Sequence, residues 1–243
     1  MKNAILLCLF ACLLGCKPNT PNTADTTTES TSGAGRPLTA EEQKAVLLVG
    51  TAMTGEAKGA VSEDGRTLEL TIANSAIFDQ EPDLLPLHVS RAAWVFYKNM
   101  GTEKPSFDQI KLVAQVQDTA INLSYSMTDL ALVKARFPTL EKASQLLIAG
   151  DYEGLYLLFD PAVMGVVKVD GLRGYCTQIE PQYGKALTFE FRGFAFNKTS
   201  GGQDFLSLAG HLNREIKDTP LNIAVDLTKP GMNGSLNSIK FDY

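Results

Sequence analysis

Apolar side chains recur at helical spacing where Ala45, Leu48, Val49, Ala52 and Met53 follow Thr39 and Glu42, a pair spaced as a capping box. This pattern predicts an amphipathic helix that opens at Thr39 and stops at Gly55. After an Asp64, Gly65 turn signal, Leu68, Leu70 and Ile72 alternate with polar residues, as in a half-buried strand. Pro82 and Asp83 open a second helix, with Leu85, Val89, Ala92, Ala93, Phe96 and Met100 on one face until Gly101. Alternation returns at Ile110, Leu112, Ala114 and Val116, then at Ile121, Leu123, Tyr125 and Met127, with Asp118 and Thr119 turning the chain between them. A small layer of helices on an antiparallel or mixed sheet is expected for residues 38–137.

Helical propensity resumes at Thr128, and Pro138 is expected to end that helix, which places a boundary near Phe137. Beyond it, Leu140, Ala143, Leu146 and Leu147 predict a helix closed by Gly150, with Asp151 capping the next. Further helices are expected over residues 152–159 and 169–182, the latter broken near Pro181. From Gly184 the period changes to two. Leu187, Phe189 and Phe191 alternate, the phase slips at Gly193, and Phe194 and Phe196 continue it, which is how a β-bulge reads in sequence. Three more strands are marked by Leu206, Leu208 and Leu212, by Leu221, Ile223, Val225 and Leu227, and by Ile239 and Phe241. The fold class expected is α+β: a helix and sheet domain over 38–137, then helices and a curved antiparallel meander over 138–243.

The N-terminus has a different character. Lys2 precedes an apolar run of about eleven residues, well short of the roughly twenty that span a bilayer. The run ends in Leu13, Leu14, Gly15 and Cys16, which resembles the lipobox of bacterial lipoproteins. The resemblance implies removal of residues 1–15 and acylation of Cys16 on its thiol and amine. The alternatives are an ordinary secretory signal containing Cys16 by coincidence, or an uncleaved anchor. Lys17 in place of Asp, under the best-known sorting rule of that family, implies the outer membrane. Acyl chains contribute about 0.8 kcal/mol per buried methylene, so two or three give stable attachment. Between Cys16 and Pro37 the chain carries Pro, Thr, Ser and Gly without a large apolar side chain. Such a tether over 16–37 does not bury enough surface to fold, and its mean reach is roughly 25 Å.

With Cys8 and Cys12 inside the signal and Cys16 acylated, Cys176 is the one thiol of the expected mature chain, and an intramolecular disulfide has no second partner. Packing as a small hydrophobe is its expected role. Over 243 residues, 22 Lys and Arg stand against 27 Asp and Glu, a net charge of −5. This gives no basic excess for neutralising phosphates, so nucleic acid is not an expected partner. The membrane, through the lipid, and an envelope protein or glycan are.

Ala149, Gly150, Asp151, Tyr152 and Glu153, with the later Tyr183 and Gly184 and the order of elements over 139–243, resemble the NTF2-like domains of unknown function found in bacterial envelope proteins. The resemblance implies a cone of helices and curved sheet that holds ligands in some members and only packed side chains in others. Enzymes of that fold place an Asp, or an Asp and His pair, inside the cone. The candidates here are Asp160, Asp170, Glu190, Asp226 and His211, of which Glu190 and Asp226 fall out of phase with the apolar rows and read as solvent-facing. His211 lies opposite Leu208 and Leu212: exposed if the leucines fill the core, inside the cone if they do not. His211, Phe189 and Phe191 form a candidate ligand pocket, although Phe189, Phe191, Phe194 and Phe196 suffice to fill a small cone. Trp94 and Tyr97 form a candidate interaction surface, and His88 reads as a boundary residue beside an apolar stripe.

Neither a Gly-x-Ser-x-Gly elbow nor a phosphate loop occurs, and the two histidines fall in different halves. No catalytic set, metal site or cofactor is expected. The expected function is that of a membrane-anchored envelope lipoprotein acting as a non-catalytic binding or assembly module. The alternative is an NTF2-like small-ligand carrier or proton-transfer enzyme using the C-terminal cone.

Overall fold

Thr39 caps helix α1 (Ala40–Ala52) as its spacing predicts: its hydroxyl accepts from the Glu42 N–H, and the Glu42 carboxylate accepts from the Thr39 N–H at 2.8 Å. The computed structural model describes residues 35–101, 106–116, 119–166, 168–198, 202, 204–229 and 234–241. The signal sequence, Cys16, most of the tether and Asp118 lie outside the described residues.

Strands β1 (Glu56–Val61) and β2 (Thr67–Ala73) form a hairpin around the Asp64, Gly65 turn. The hydrophobic pattern does not predict β1, which contains no β-branched or aromatic residue before Val61. Its pairing with β2 makes it a strand. In β2, Leu68, Leu70 and Ile72 are fully buried, each worth about 1.5–3 kcal/mol in apolar transfer.

Helix α2 (Ala76–Gln80) and a 3-10 turn (Pro82–Leu84) lead into α3 (Leu85–Asn99), so Pro82 opens the 3-10 turn and α3 starts three residues later. Val89, Ala92, Ala93 and Phe96 form the buried face of α3. Strands β3 (Gln109–Val116) and β4 (Thr119–Ser126) complete a sheet of order β1-β2-β3-β4. β2 and β3 run parallel, which requires the crossover that α3 supplies; the other pairs are antiparallel.

Helix α4 (Met127–Ala149) corrects two expectations. Met127 starts the helix instead of ending a strand, because the Ser126 hydroxyl accepts from the Asp129 N–H and caps it there. Pro138, expected to end a helix, lies inside this one. A proline in a helix interior costs about 3 kcal/mol. Burial of Leu130 and Val133 on one side of it, and of Leu140, Ala143, Leu146 and Leu147 on the other, offsets that cost. Helix α4 therefore crosses the position near Phe137 where a boundary was expected, and its apolar residues join one core cluster with residues of both sheets.

Gly150 closes α4 and Asp151 caps α5 (Tyr152–Tyr156), both as predicted. Short helices α6 (Pro161–Met164), α7 (Val169–Thr177) and α8 (Glu180–Tyr183) follow. The second sheet is an open antiparallel meander of β5 (Ala186–Lys198), β6 (Asp204–Arg214), β7 (Thr219–Asp226) and β8 (Leu236–Phe241), in that order. Strand β5 is an edge of this sheet, and α3 packs against it. Over the described residues the fold is thus α+β with two open sheets, one mixed and one antiparallel. Among the described residues no helix is long and apolar enough to cross a membrane.

Candidate functional site

The bulge in β5 sets the geometry of the site. Phe191 pairs with Gly210 and Gly193 with Ala209, so Arg192 is the extra residue, opposite nothing on β6. A bulge bends its strand and re-aims a side chain. Alternation puts Arg192 on the sheet face that carries Glu190 and His211, which are paired across β5 and β6, and the bulge then returns Phe194 to the face of Phe189 and Phe191. The Arg192 guanidinium lies 3.6 Å from Glu190 Oε2, 3.4 Å from His211 Nδ1 and 3.7 Å from Glu81 Oε2. Arg91 of α3 reaches Glu190 at 3.2 Å.

Glu81, between α2 and the 3-10 turn, also faces His88 of α3. His88 Nε2 lies 2.8 Å from Glu81 Oε2, but the orientation does not satisfy either atom, and His88 Nδ1 and Arg192 Nε also lack hydrogen-bond partners. His88 is fully buried, which corrects its reading as a boundary residue. The helix turns it inward because it sits one residue before Val89 and one turn before Ala92, beside the ring of Phe78.

Both histidines, far apart in sequence, thus enter one cluster with Arg91, Arg192, Glu81 and Glu190. Burial, with the positive charge of Arg192, holds both imidazoles below the usual histidine value, although Glu81 acts in the opposite direction on each. Two guanidinium groups balance two carboxylates while the imidazoles are neutral. The group can take up protons, and it contains no thiol or hydroxyl.

The remaining candidates lie elsewhere. Phe189 pairs with Leu212 and Phe191 with Gly210, so both occupy the core face, and His211 occupies the other. The ring of Phe189 lies over Gly210, where an added Cβ would come within 2.3 Å of it. Phe191 meets Phe137 edge to face at 5.1 Å, and Phe194 meets Tyr125 in the same way at 5.3 Å. The sheet separates the three residues of the expected pocket.

Trp94, placed on a candidate interaction surface, is buried: its ring stacks on Phe137 at 4.9 Å and on the half-buried Tyr97 at 6.1 Å. Asp226, expected to face solvent, is fully buried and accepts from the N–H and hydroxyl of Thr228, closing the turn after β7. Asp160 is buried as the cap of α6, and Asp170 is exposed beside Arg173. Cys176 is buried, and desolvation pushes its thiol up to about 12, so little nucleophilic thiolate forms near neutral pH. Among the described residues no group of three His, Cys, Asp or Glu is placed to hold a metal ion.

The slip at Gly193 marks the bulge in sequence, but nothing local marks the groups that meet Arg192 from outside β5, Glu81 from the segment after α2 and His211 from β6. No protein-family model, curated protein or solved structure matches this chain. The class defined by the fold and site is an α+β protein in which a charged cluster ties a helix to the bulged edge of an antiparallel sheet.

Proposed function

We propose that this chain is a lipid-anchored protein of the bacterial cell envelope, held at the outer membrane through Cys16, that acts as a non-catalytic binding or assembly module for an envelope protein or glycan. In this reading residues 138–243 form an NTF2-like cone of the filled kind. Helices followed by a meander with a bulged first strand support the cone, and the Leu13, Leu14, Gly15, Cys16 sequence supports the anchor.

One observation carries the non-catalytic part: Phe189, Phe191 and Phe194 of β5 pack on the core while Phe196 is exposed, and the ionisable groups lie on the opposite face, tied to α3. A carrier or proton-transfer enzyme working through the cone needs His211 beside Phe189 and Phe191, and this arrangement separates them.

Mass spectrometry of protein extracted from bacterial membranes tests the anchor. The expected N-terminal peptide begins at an acylated Cys16, and a Cys16→Ala variant leaves the membrane fraction. An unmodified thiol at Cys16, or a Cys16→Ala protein still held at the membrane, overturns it. For the filled cone, Phe191→Ala is expected to create binding of a small apolar dye that the parent protein lacks; dye binding by the parent removes that part.

A further inference from the structure

Helix α3 covers the free edge of β5, and the contact is polar at its centre. The backbone N–H of Phe194 donates to the Ser90 hydroxyl at 2.8 Å, and His88, Arg91, Glu190 and Arg192 surround that point in sequence on the two elements. We propose that His88, His211 and Arg192 form an acid-operated latch between α3 and β5, closed at neutral pH and released when the imidazoles take up protons. This goes beyond the anchoring and binding roles and does not depend on them.

The charges decide the direction. His88 faces Glu81 from the segment after α2, Arg91 from its own helix and Arg192 from β5. His211 faces Arg192 and Glu190 from β5, Glu81, and Asp218 from the turn after β6. A proton on His211 places a cation 3.4 Å from the Arg192 guanidinium. A proton on His88 places a charge at a fully buried position, where the carboxylate of Glu81 is already shared with Arg192. Two protons convert the balanced six-group cluster into one with two excess positive charges beside half-buried guanidinium groups, an excess that Asp218 outside the cluster offsets only in part. Separation of α3 from β5 hydrates those charges.

Because the closed form depresses both imidazoles, it binds fewer protons than the open form. Its stability is complete above the free imidazole value of about 6.5 and declines as pH falls below that value, until the closed form itself protonates. Release bares the β5 edge, whose unpaired N–H and C=O groups can add another strand.

Residue-resolved amide hydrogen exchange of the full chain tests the latch, with rates expressed as protection so that the intrinsic effect of pH cancels. Between about pH 7.5 and pH 5, protection of the Phe194 amide is expected to fall about tenfold or more while amides of β2 and β3 keep theirs. In a His88→Gln/His211→Asn double variant the Phe194 amide is expected to show no such fall. Constant protection at Phe194 in the parent, a parallel loss across β2 and β3, or an undiminished fall in the double variant overturns the proposal.

A titration of the parent by nuclear magnetic resonance keeps the test decisive if the double variant does not fold. Both imidazoles are expected to titrate below about 6.5, and the loss of Phe194 protection is expected to follow their titration. A midpoint at or above that value for either ring, or protection that changes independently of both, overturns it.

Discussion

The Ser90 hydroxyl accepts the backbone N–H of Phe194 at 2.8 Å and donates to the Leu87 carbonyl at 2.7 Å, so one side chain of α3 satisfies the edge of β5 at its bulge. Ser90 is fully buried, and no water replaces its oxygen without a local opening. Ser90→Ala strands the Phe194 N–H and is expected to cost about 1–3 kcal/mol. Urea unfolding of parent and variant measures it, and a loss well under half a kcal/mol counts against this contact as a structural tie.

Gly193 permits that approach. Its φ is 151°, and an added Cβ would lie 2.2 Å from the Leu87 carbonyl oxygen and 2.6 Å from the Ser90 hydroxyl. Backbone atoms on α3 move only with the helix, so Gly193→Ala is expected to cost roughly 3 kcal/mol or more, or to block folding. Soluble yield and thermal midpoint give the answer. A variant as stable as the parent contradicts the observed packing of α3 on β5.

Phe137 joins the two halves of the chain through rings: it stacks on Trp94 of α3 at 4.9 Å and meets Phe191 of β5 edge to face at 5.1 Å. Phe137→Ala removes both contacts and is expected to cost about 3 kcal/mol. Trp94 is the single tryptophan, so its fluorescence reports directly, and a shift of the emission to longer wavelength is expected as water reaches the indole. Unchanged emission and stability speak against the stack.

Glu42 closes the capping box and receives a bidentate pair from Arg36 at 2.8 and 2.6 Å. The Arg36 hydrogen bond, helped by the Thr39 N–H, holds the Glu42 carboxyl below its usual range. A depressed carboxyl contributes stability that is complete above its unfolded value of about 4.5 and is lost as pH falls through the lowered value. Glu42→Gln keeps the box but removes the charge pair, at an expected cost of about 1 kcal/mol near pH 7 because Arg36 is partly exposed. Denaturation midpoints measured from pH 7 to about pH 3 are expected to converge for parent and variant at the acid end. A constant difference across the range contradicts the pairing.

Several elements are legible in the chain without any fold. Thr39 and Glu42 mark the start of α1, Gly150 and Asp151 mark the junction of α4 and α5, and the slipped phase at Gly193 marks the bulge. The site is legible only in fragments. Glu190 reads as a solvent-facing position, and His88 and His211 read as histidines of different halves. Asp226 reads as exposed because its phase in β7 is clear, whereas the turn that buries it follows the strand.

Caps, turns and one-sided periodicity are satisfied by groups within about four residues, so the sequence alone determines them, and with them the identity of most helices and strands. Whether Glu56–Val61 becomes a strand depends on a partner it meets only after the hairpin closes, and whether α4 continues through Pro138 depends on apolar surface that other elements supply. The histidine cluster is the extreme case. It forms where α3 reaches β5, across a contact whose hydrogen-bonded residues stand 104 positions apart. Charges are felt through space within a few ångströms and not along the chain, so only the tertiary structure decided that these six groups would meet.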